Sequence, residues 1–251
     1  MPPAPSDNPP RSPADFASLL ATAEPLFLVG GQAVNLWALY YASRTADLAP
    51  FVSRDVDVLG DRNTLVMLAK TAGTKPQFFP LCPPTNEVGV IIATDGNGLP
   101  LPIEVLRHVH GVTNEELRER VYTVAIAENH VLVQVPGPIA LIQAKIANVA
   151  DLAQAERQDA RHVLILARLM PAYLADLEAS LAQGRMDERT LVGLLERLLL
   201  VVMAAKAKKV LRRLEIDRRL LFSELKADPW PRVRAFIDKR LPRCLRDTKS
   251  N

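Results

Sequence analysis

Short apolar runs alternate with helical stretches over the first two thirds of the chain. Leu26–Val29 predicts a strand that is broken by Gly30 and Gly31, and residues 32–41 predict a helix directly after it. Residues 52–59 predict a second strand, with Asn63 as a candidate N-cap for the helix that follows. Four later runs predict two antiparallel hairpins, residues 88–93 with 101–106 and residues 121–125 with 131–135.

From residue 138 to about residue 240 the pattern is helical. This order predicts the α/β class, with a mixed sheet and flanking helices followed by an α-helical C-terminal domain. The predicted division is a disordered Pro-rich tail over residues 1–13, a core over 14–136 and an α-helical region over 137–251. The tail holds six prolines and too little apolar surface to offset the entropy of ordering it.

The composition is that of an ordinary soluble chain, with 49% hydrophobic, 24% charged and 5% aromatic residues. Cys82 and Cys244 fit no metal or redox spacing, so we expect a reduced, cytoplasmic compartment. The longest apolar run, residues 198–205, is far shorter than the roughly 20 residues that span a bilayer. We therefore expect no membrane partner.

The net charge of +3 is divided unevenly along the chain. Residues 170–251 carry 18 Lys and Arg against 11 Asp and Glu, which leaves 13 against 17 for residues 1–169. An acidic part beside a basic part suggests a site that collects cations next to a surface that attracts polyanions, and a solvated bundle face or a contact for an acidic protein is the alternative. The basic excess follows a helical apolar stripe and is concentrated in Lys206, Lys208, Lys209, Arg212, Arg213, Arg218 and Arg219.

Gly30 and Gly31 lie where the first predicted strand meets a helix. Glycines at such a point leave backbone N–H groups open to a phosphate, because no Cβ blocks the approach and the helix N-terminus is positive. A purely structural turn is the alternative, and the spacing matches neither the dinucleotide-binding nor the P-loop pattern.

Asp55 and Asp57 lie two residues apart on the second predicted strand. They should therefore face the same side, while Val56 and Val58 face the core. Adjacent carboxylates repel, and Mg²⁺ held by carboxylates and substrate phosphates suits such a pair. Glu104 alternates with Ile103 and Val105 on a later strand. If the two strands are neighbours, three carboxylates meet and two Mg²⁺ ions about 4 Å apart could bind there.

Lys145 lies in an apolar arc of a predicted helix that spans residues 138–159. With about 100° per residue, Leu141, Ile142, Ile146 and Val149 share its side of the helix. A lysine in such an arc either extends its ammonium to solvent or has an anionic partner, and a nucleotide phosphate would serve as one.

Together these motifs resemble the polymerase-β-type nucleotidyltransferase superfamily. The resemblance rests on Gly-Gly-x-Ala from Gly30, Asp-x-Asp from Asp55 and the lone acidic Glu104, in that order. Lys145 and the later run Arg157-Gln158-Asp159-Ala160-Arg161-His162 are similar to the AbiEii-like and related uncharacterised bacterial branch. The resemblance covers roughly residues 25–168.

The resemblance implies transfer of a nucleoside monophosphate from an NTP to a hydroxyl, with two-metal catalysis by Mg²⁺ or Mn²⁺. The acceptor would be an RNA 3′ end, a protein or a small molecule, and an antitoxin-like protein is a candidate partner within a toxin–antitoxin pair. Lys145 would contact a phosphate, and Asp159 would support it or act as a base. The implied triphosphate and nucleotide contacts are Gly30, Gly31, Arg54 and Lys145, the implied metal ligands are Asp55, Asp57 and Glu104, and the implied catalytic set adds Lys145 and Asp159 to those three carboxylates.

Two other functions compete with this one. A glycosyltransferase also uses Asp-x-Asp with a divalent metal, but the chain lacks a long nucleotide-binding half before the pair. A non-catalytic member of the superfamily would keep the fold as a binding module, although Asp55, Asp57 and Glu104 are all present. The chain departs from the usual spacing, because the interval between Gly31 and Asp55 is long and predicts an insertion near residues 43–50.

Overall fold

The computed structural model describes residues 9–82, 85–126, 130–155, 157–226 and 228–245. The strands are β1 (Leu26–Val29), β2 (Val56–Leu59), β3 (Gln77–Phe78), β4 (Glu87–Thr94), β5 (Pro100–Leu106), β6 (Val121–Ile126) and β7 (Val131–Pro136). The α-helices are α1 (Ala17–Leu20), α2 (Gly30–Tyr40), α3 (Ala42–Thr45), α4 (Arg62–Thr71), α5 (Asn114–Arg118), α6 (Pro138–Asp151), α7 (Asp159–Ala182), α8 (Glu188–Met203), α9 (Ala205–Arg213), α10 (Pro231–Ala235) and α11 (Leu241–Cys244). Short 3₁₀ segments span Pro13–Phe16, Ala46–Leu48 and Leu220–Phe222, and a π-helical turn spans Phe236–Arg240.

The strands form one mixed sheet in the order β3-β4-β5-β2-β1-β7-β6. The outer pairs β3–β4, β4–β5 and β6–β7 are antiparallel, as is the central pair β1–β2. The pairs β2–β5 and β1–β7 are parallel. The predicted mixed sheet followed by helices is confirmed, and so are both predicted hairpins.

The two faces of the sheet are covered differently, as successive residues of β1 show. Leu26 and Leu28 point into the main core, whereas Phe27 and Val29 belong to a smaller cluster on the opposite face. Residues of α5 and α6 cover that smaller cluster. The part of this second face that they leave uncovered is where the candidate site lies.

The C-terminal helices pack directly on the main core. In α8 the predicted apolar stripe is buried, and α9 buries one side while it exposes its lysines and arginines. Among the described residues, no helix has the combination of length and apolar character that crossing a bilayer requires. The buried stripe of α8 consists of Leu191, Leu194, Leu195, Leu198 and Val202.

Several predicted boundaries were wrong. Helix α2 begins at Gly30, because a strand in extended conformation ends at Val29 and the glycine itself starts the helical turn. The cap of α4 is Asp61, whose Oδ1 accepts from the Thr64 amide at 2.9 Å, and not Asn63. Strand β2 begins only at Val56, and the two-residue strand β3 was not predicted, because it is short and exposed.

The helix predicted over residues 138–159 is in fact two helices. Helix α6 ends at Asp151, where Leu152 takes an extended conformation, and Asp159 is the first residue of α7. Lys145 and Asp159 therefore face each other from two helices, and this arrangement shapes the site.

The N-terminal segment packs earlier than the sequence predicts. The predicted tail lies outside the described residues up to residue 8, but Arg11 exchanges two backbone hydrogen bonds with Ser53, at 2.7 and 2.9 Å. Gln32 Nε2 donates to the Arg11 carbonyl at 3.0 Å, and Pro13 is buried. These hydrogen bonds and the burial of Pro13 offset the entropy cost of ordering this part of the segment.

The long interval before Asp55 folds as α3 and a 3₁₀ turn. Thr45 is fully buried, and its hydroxyl donates to the Ala38 carbonyl at 2.7 Å. Arg161 of α7 donates to the carbonyls of Leu48 and Pro50. The predicted insertion is thus held against α2 and α7, and Asp57 keeps its place in β2.

Candidate active site

Three acidic residues lie near the centre of the sheet, on its partly covered face. Strand β2 lies between β1 and β5, and its register pairs Asp57 with Val29 on one side and with Glu104 on the other. Asp55 directly precedes β2, and its Oδ1 accepts from Ser53 Oγ at 3.0 Å. The predicted neighbourhood of the two acidic strands is confirmed, whereas the catalytic roles stay predictions.

A cavity of about 450 Å³ opens over these carboxylates. Its sheet wall contains Asp55, Asp57 and Glu104, and its helical wall contains Lys145 and Asp159. Gly30, Gly31 and Arg54 also line it. All the site residues that the sequence predicts therefore border one cavity, of a size that suits a small-molecule ligand.

The side chains of Asp57 and Glu104 are half-buried and close to like charges. Burial, followed by the charges of Asp55 and Glu104, raises the pKa of Asp57 from 3.8 to about 8. Burial and the charges of Asp55 and Glu87 raise the pKa of Glu104 to about 7. Raised pKa values in a cavity are typical of acid–base and cation-binding sites, because a bound cation would relieve the repulsion.

The two glycines have a steric reason to be glycine. Gly30 has φ +65°, and a Cβ at that position would lie 1.7 Å from Asp57 Oδ2. At Gly31 a Cβ would lie 2.8 Å from Ser53 Oγ and 3.2 Å from His162 Cε1. The glycines therefore let the first turn of α2 approach both walls of the cavity, and the predicted contact with a triphosphate stays a prediction.

Lys145 has a carboxylate of the protein as its partner. Its Nζ donates to Asp159 Oδ1 at 2.8 Å, and Asn148 Nδ2 donates to the same oxygen at 3.2 Å. Arg157 Nε donates to Asp159 Oδ2 at 2.6 Å. Lys145 is 7% exposed and Asp159 is 2% exposed, so the lysine does not extend to solvent.

This network makes Asp159 unsuitable as a base, contrary to one of the two roles that the resemblance implies. Burial raises the pKa of Asp159, but the charge and hydrogen bond of Lys145, with those from Arg157 and Asn148, outweigh it and bring the pKa to about 2. Both carboxylate oxygens already accept hydrogen bonds. The contacts are those of a residue that supports Lys145, which is the other implied role.

Sequence reasoning overlooked three further residues. Ser53 and Asn148 bond to Asp55 and Asp159, and His162 lies one turn after Asp159 on the same side of α7. The three-residue spacing of Asp159 and His162 could have indicated a shared face. The side chains of Ser53 and Asn148 carry no such signal, because their partners become neighbours only in the fold.

His108 and His110 lie in the segment after β5. Both border the cavity, and His110 Nε2 lies 3.1 Å from Asp151 Oδ2. In the part of the chain that the structure describes, no three His, Cys, Asp or Glu side chains come together closely enough to hold a metal ion by themselves.

The donors nevertheless fit Mg²⁺ or Mn²⁺ that arrives with a nucleotide. Mg²⁺ is commonly held by one or two carboxylates together with water and substrate phosphates, so it does not require three protein ligands in advance. Asp57 beside Glu104 supplies such a pair, with Asp55 close enough to raise the pKa of both. The chemistry of the donors therefore suits a hard divalent cation.

Comparisons with known proteins add little to this geometry. No protein-family model matches the chain, and a search of curated proteins finds no match. Among solved structures, the chain is similar to an antigenic nucleotidyltransferase-like protein from Paracoccidioides brasiliensis, with a TM-score of 0.41 and 14% identity over 75% of this chain and 95% of that one. The function proposed below rests on the site itself.

Proposed function

We propose that the chain transfers a nucleoside monophosphate from an NTP to an acceptor hydroxyl and releases pyrophosphate. The observation that carries this proposal is the register that sets Asp57 beside Glu104, next to the first turn of α2 at Gly30. Carboxylates that attract cations and a helix N-terminus that attracts phosphates are the two surfaces that a metal-bound triphosphate needs.

In the proposed reaction the acceptor oxygen attacks the α-phosphorus, and the bond between that phosphorus and the pyrophosphate breaks. Asp55, Asp57 and Glu104 would hold Mg²⁺ or Mn²⁺, which when bound neutralises the charge that develops on the phosphoryl oxygens. Glu104 would accept the proton of the hydroxyl, since it borders the cavity beside Asp57. Gly30 and Gly31 would orient the triphosphate, with Arg54 as a further nucleotide contact.

Lys145 would act from the opposite wall. Its ammonium lies in the cavity lining but is engaged by Asp159. A phosphate oxygen would share or displace that contact, while Arg157 and Asn148 keep the carboxylate of Asp159 satisfied. Lys145 and Asp159 are also the residues on which the finer proposal rests, that the chain belongs with the AbiEii-like branch. The proposal that it acts in the cytoplasm rests separately on Cys82 and Cys244, which fit no metal or redox spacing.

The acceptor that we propose first is RNA, with a protein or small molecule as alternatives. Lys206, at the start of α9, lies 2.7 Å from Asp151, which also contacts His110 at the cavity. The exposed basic side of α9 therefore begins beside the cavity mouth and could align a polyanion with it. The same surface would suit an acidic, antitoxin-like protein partner.

Thermal shifts with each NTP, in Mg²⁺ and in EDTA, test the binding step. A ligand at 100 times its Kd adds about 2.7 kcal/mol to stability, so an NTP that binds should raise the Tm in Mg²⁺ by several degrees. Asp57→Asn should remove the Mg²⁺-dependent part of the shift. Equal shifts in Mg²⁺ and EDTA, or none with any NTP, would contradict the proposal.

The absence of a preformed three-ligand metal site among the described residues favours one alternative, a non-catalytic nucleotide-binding module. Such a module would bind an NTP and return it unchanged. If Mg²⁺-NTP raises the Tm but the NTP is not consumed with RNA, protein or small-molecule acceptors, the result would favour the binding module over the enzyme.

A further inference from the structure

His162 lies at the base of the cavity, close to the beginning of α2. It is in the first turn of α7 and 3% exposed, yet it belongs to the cavity lining. Its Cε1 would be 3.2 Å from a Cβ at Gly31, so the imidazole lies directly against the first turn of α2. The proposed mechanism gives it no role.

The ring nitrogens of His162 are unsatisfied. Within the described residues, neither Nδ1 nor Nε2 has a hydrogen-bond partner, although both are buried. A buried polar group without a partner destabilises the folded state, and such groups are uncommon in folded proteins. The arrangement therefore calls for a partner that the protein itself does not supply.

The ring is uncharged at neutral pH. Burial, and then the charge of Lys145, holds the pKa of His162 well below its ordinary 6.5. A neutral imidazole carries one N–H donor and one acceptor nitrogen. One ring nitrogen can therefore donate a hydrogen bond to an acceptor in the cavity.

The neighbouring helix end selects the kind of partner. Helix α2 has eleven residues, and its N-cap Val29 contributes no side-chain hydrogen bond. The first N–H groups of a helix lack partners within the helix and carry partial positive charge. An oxyanion at this position would accept from those N–H groups and from His162 together.

We propose that His162 is a phosphate-positioning residue, whose ring N–H donates a hydrogen bond to a nonbridging oxygen of the triphosphate seated at the first turn of α2. The inference rests on the proposed function, which supplies the triphosphate. It explains why Gly31 lacks a side chain, since any Cβ there would stand between the helix end and the imidazole. Lys145 is already paired with Asp159, so His162 adds a contact that the charged network does not provide.

Calorimetric titration with inorganic tripolyphosphate in Mg²⁺ tests this contact without a base, a sugar or a reaction. His162→Leu removes the donor and keeps an apolar side chain of similar bulk, while His162→Gln keeps an N–H near the position of Nε2. We expect His162→Leu to weaken binding by about tenfold or more and His162→Gln by about threefold or less. His130→Asn is the matched control, because His130 is exposed, is absent from the cavity lining and has φ 49°, which Asn tolerates.

Nitrogen-15 NMR of the imidazole rings provides a readout that does not depend on the variants folding. We expect the His162 ring nitrogens of the wild-type protein to shift when tripolyphosphate binds. Wild-type affinity in a folded His162→Leu variant, unshifted His162 resonances, or no binding by the wild type would each overturn the inference. If tripolyphosphate binds through His162 but labelled NTP is never transferred, the inference stands and the proposed function fails.

Discussion

The two walls of the cavity treat charge in opposite ways. On the helical wall, the buried carboxylate of Asp159 is matched by Lys145, Arg157 and Asn148, at 2.6 to 3.2 Å. On the sheet wall, Asp57 and Glu104 lie side by side, and the attraction to Lys145 and Arg157 does not outweigh burial and the repulsion between carboxylates. Their pKa values move accordingly, down to about 2 for Asp159 and up to about 8 and 7 for the sheet pair.

This difference separates structure from function. A buried ion pair between two helices holds them in place, because removing one partner leaves the other as an uncompensated buried charge. Two neighbouring carboxylates repel each other and lower the stability of the folded state, and a bound cation would remove that repulsion. We therefore infer that the pairing of Lys145 with Asp159 fixes the shape of the cavity, and we propose that the sheet wall holds a cation.

The largest effect is expected from Asp57→Asn, which removes one like charge and keeps the shape of the side chain. Transfer should fall by about 10³-fold, in the range seen when a group that stabilises transition-state charge is lost. Above pH 8, where Asp57 is ionised, the Tm should stay equal or rise, because the repulsion of its carboxylate by Asp55 and Glu104 is relieved. Labelled-NTP turnover measures the transfer rate, and differential scanning calorimetry measures the Tm. A variant as active as the wild type would show that Asp57 of the sheet wall has no catalytic role.

Lys145→Met should have the opposite signature. The variant leaves a buried carboxylate with only Arg157 and Asn148, so we expect the protein to lose about 1–3 kcal/mol of stability in urea unfolding, the cost of one missing hydrogen bond to a buried group. The double variant Lys145→Met with Asp159→Leu should recover part of that loss. A Lys145→Met variant as stable as the wild type would show that the pair does not hold the helical wall.

The pH dependence of stability should also come from the sheet wall. The folded pKa values of Asp57 and Glu104 lie above their unfolded values, so the folded state binds more protons between about pH 5 and pH 8. The free energy of unfolding without metal should therefore fall as the pH rises through 7 and 8, by roughly 1–3 kcal/mol after solvent screening. Asp57→Asn should flatten the profile, and a wild-type profile that rises over this interval would contradict the shifts.

The smallest effect is expected on the basic side of α9, outside the cavity. If Lys208, Lys209 and Arg212 bind RNA phosphates, affinity should fall with salt at a log–log slope of about −0.7 per single-stranded phosphate neutralised. Reversing all three to Glu should weaken RNA binding and leave NTP binding intact. Arg219 should be kept, because its Nη2 donates to the Leu245 carbonyl at 3.1 Å. A weak, salt-insensitive affinity that the reversals do not change would point to a solvated face.

The sequence predicts the sheet wall better than the helical wall, for a physical reason. Strand alternation determines the face of Asp57 and Glu104 from local pattern alone, and Val56, Val58 and Ile103 are fully buried as that alternation requires. Only their adjacency had to be learned from the fold, and the parallel register of β2 and β5 provides it.

The helical wall depends on contacts that local pattern does not carry. In a continuous helix over residues 138–159, Lys145 and Asp159 would lie several turns apart along the same helix. The break after Asp151 instead lets α7 pack back against α6. The lysine's partner is therefore a residue of the second helix. The same turn brings His162 to Gly31, a pairing that no periodicity within either segment indicates.

The most direct measurement follows the two ends of the triphosphate during incubation with Mg²⁺ and cellular RNA. With label at the α-phosphorus, we expect radioactivity to become covalently attached to the acceptor. With label at the γ-phosphorus, we expect it to be released as pyrophosphate. Asp57→Asn and Glu104→Gln should abolish both signals. Release of the γ-label as orthophosphate, or turnover that persists in both variants, would contradict nucleotidyl transfer at this site.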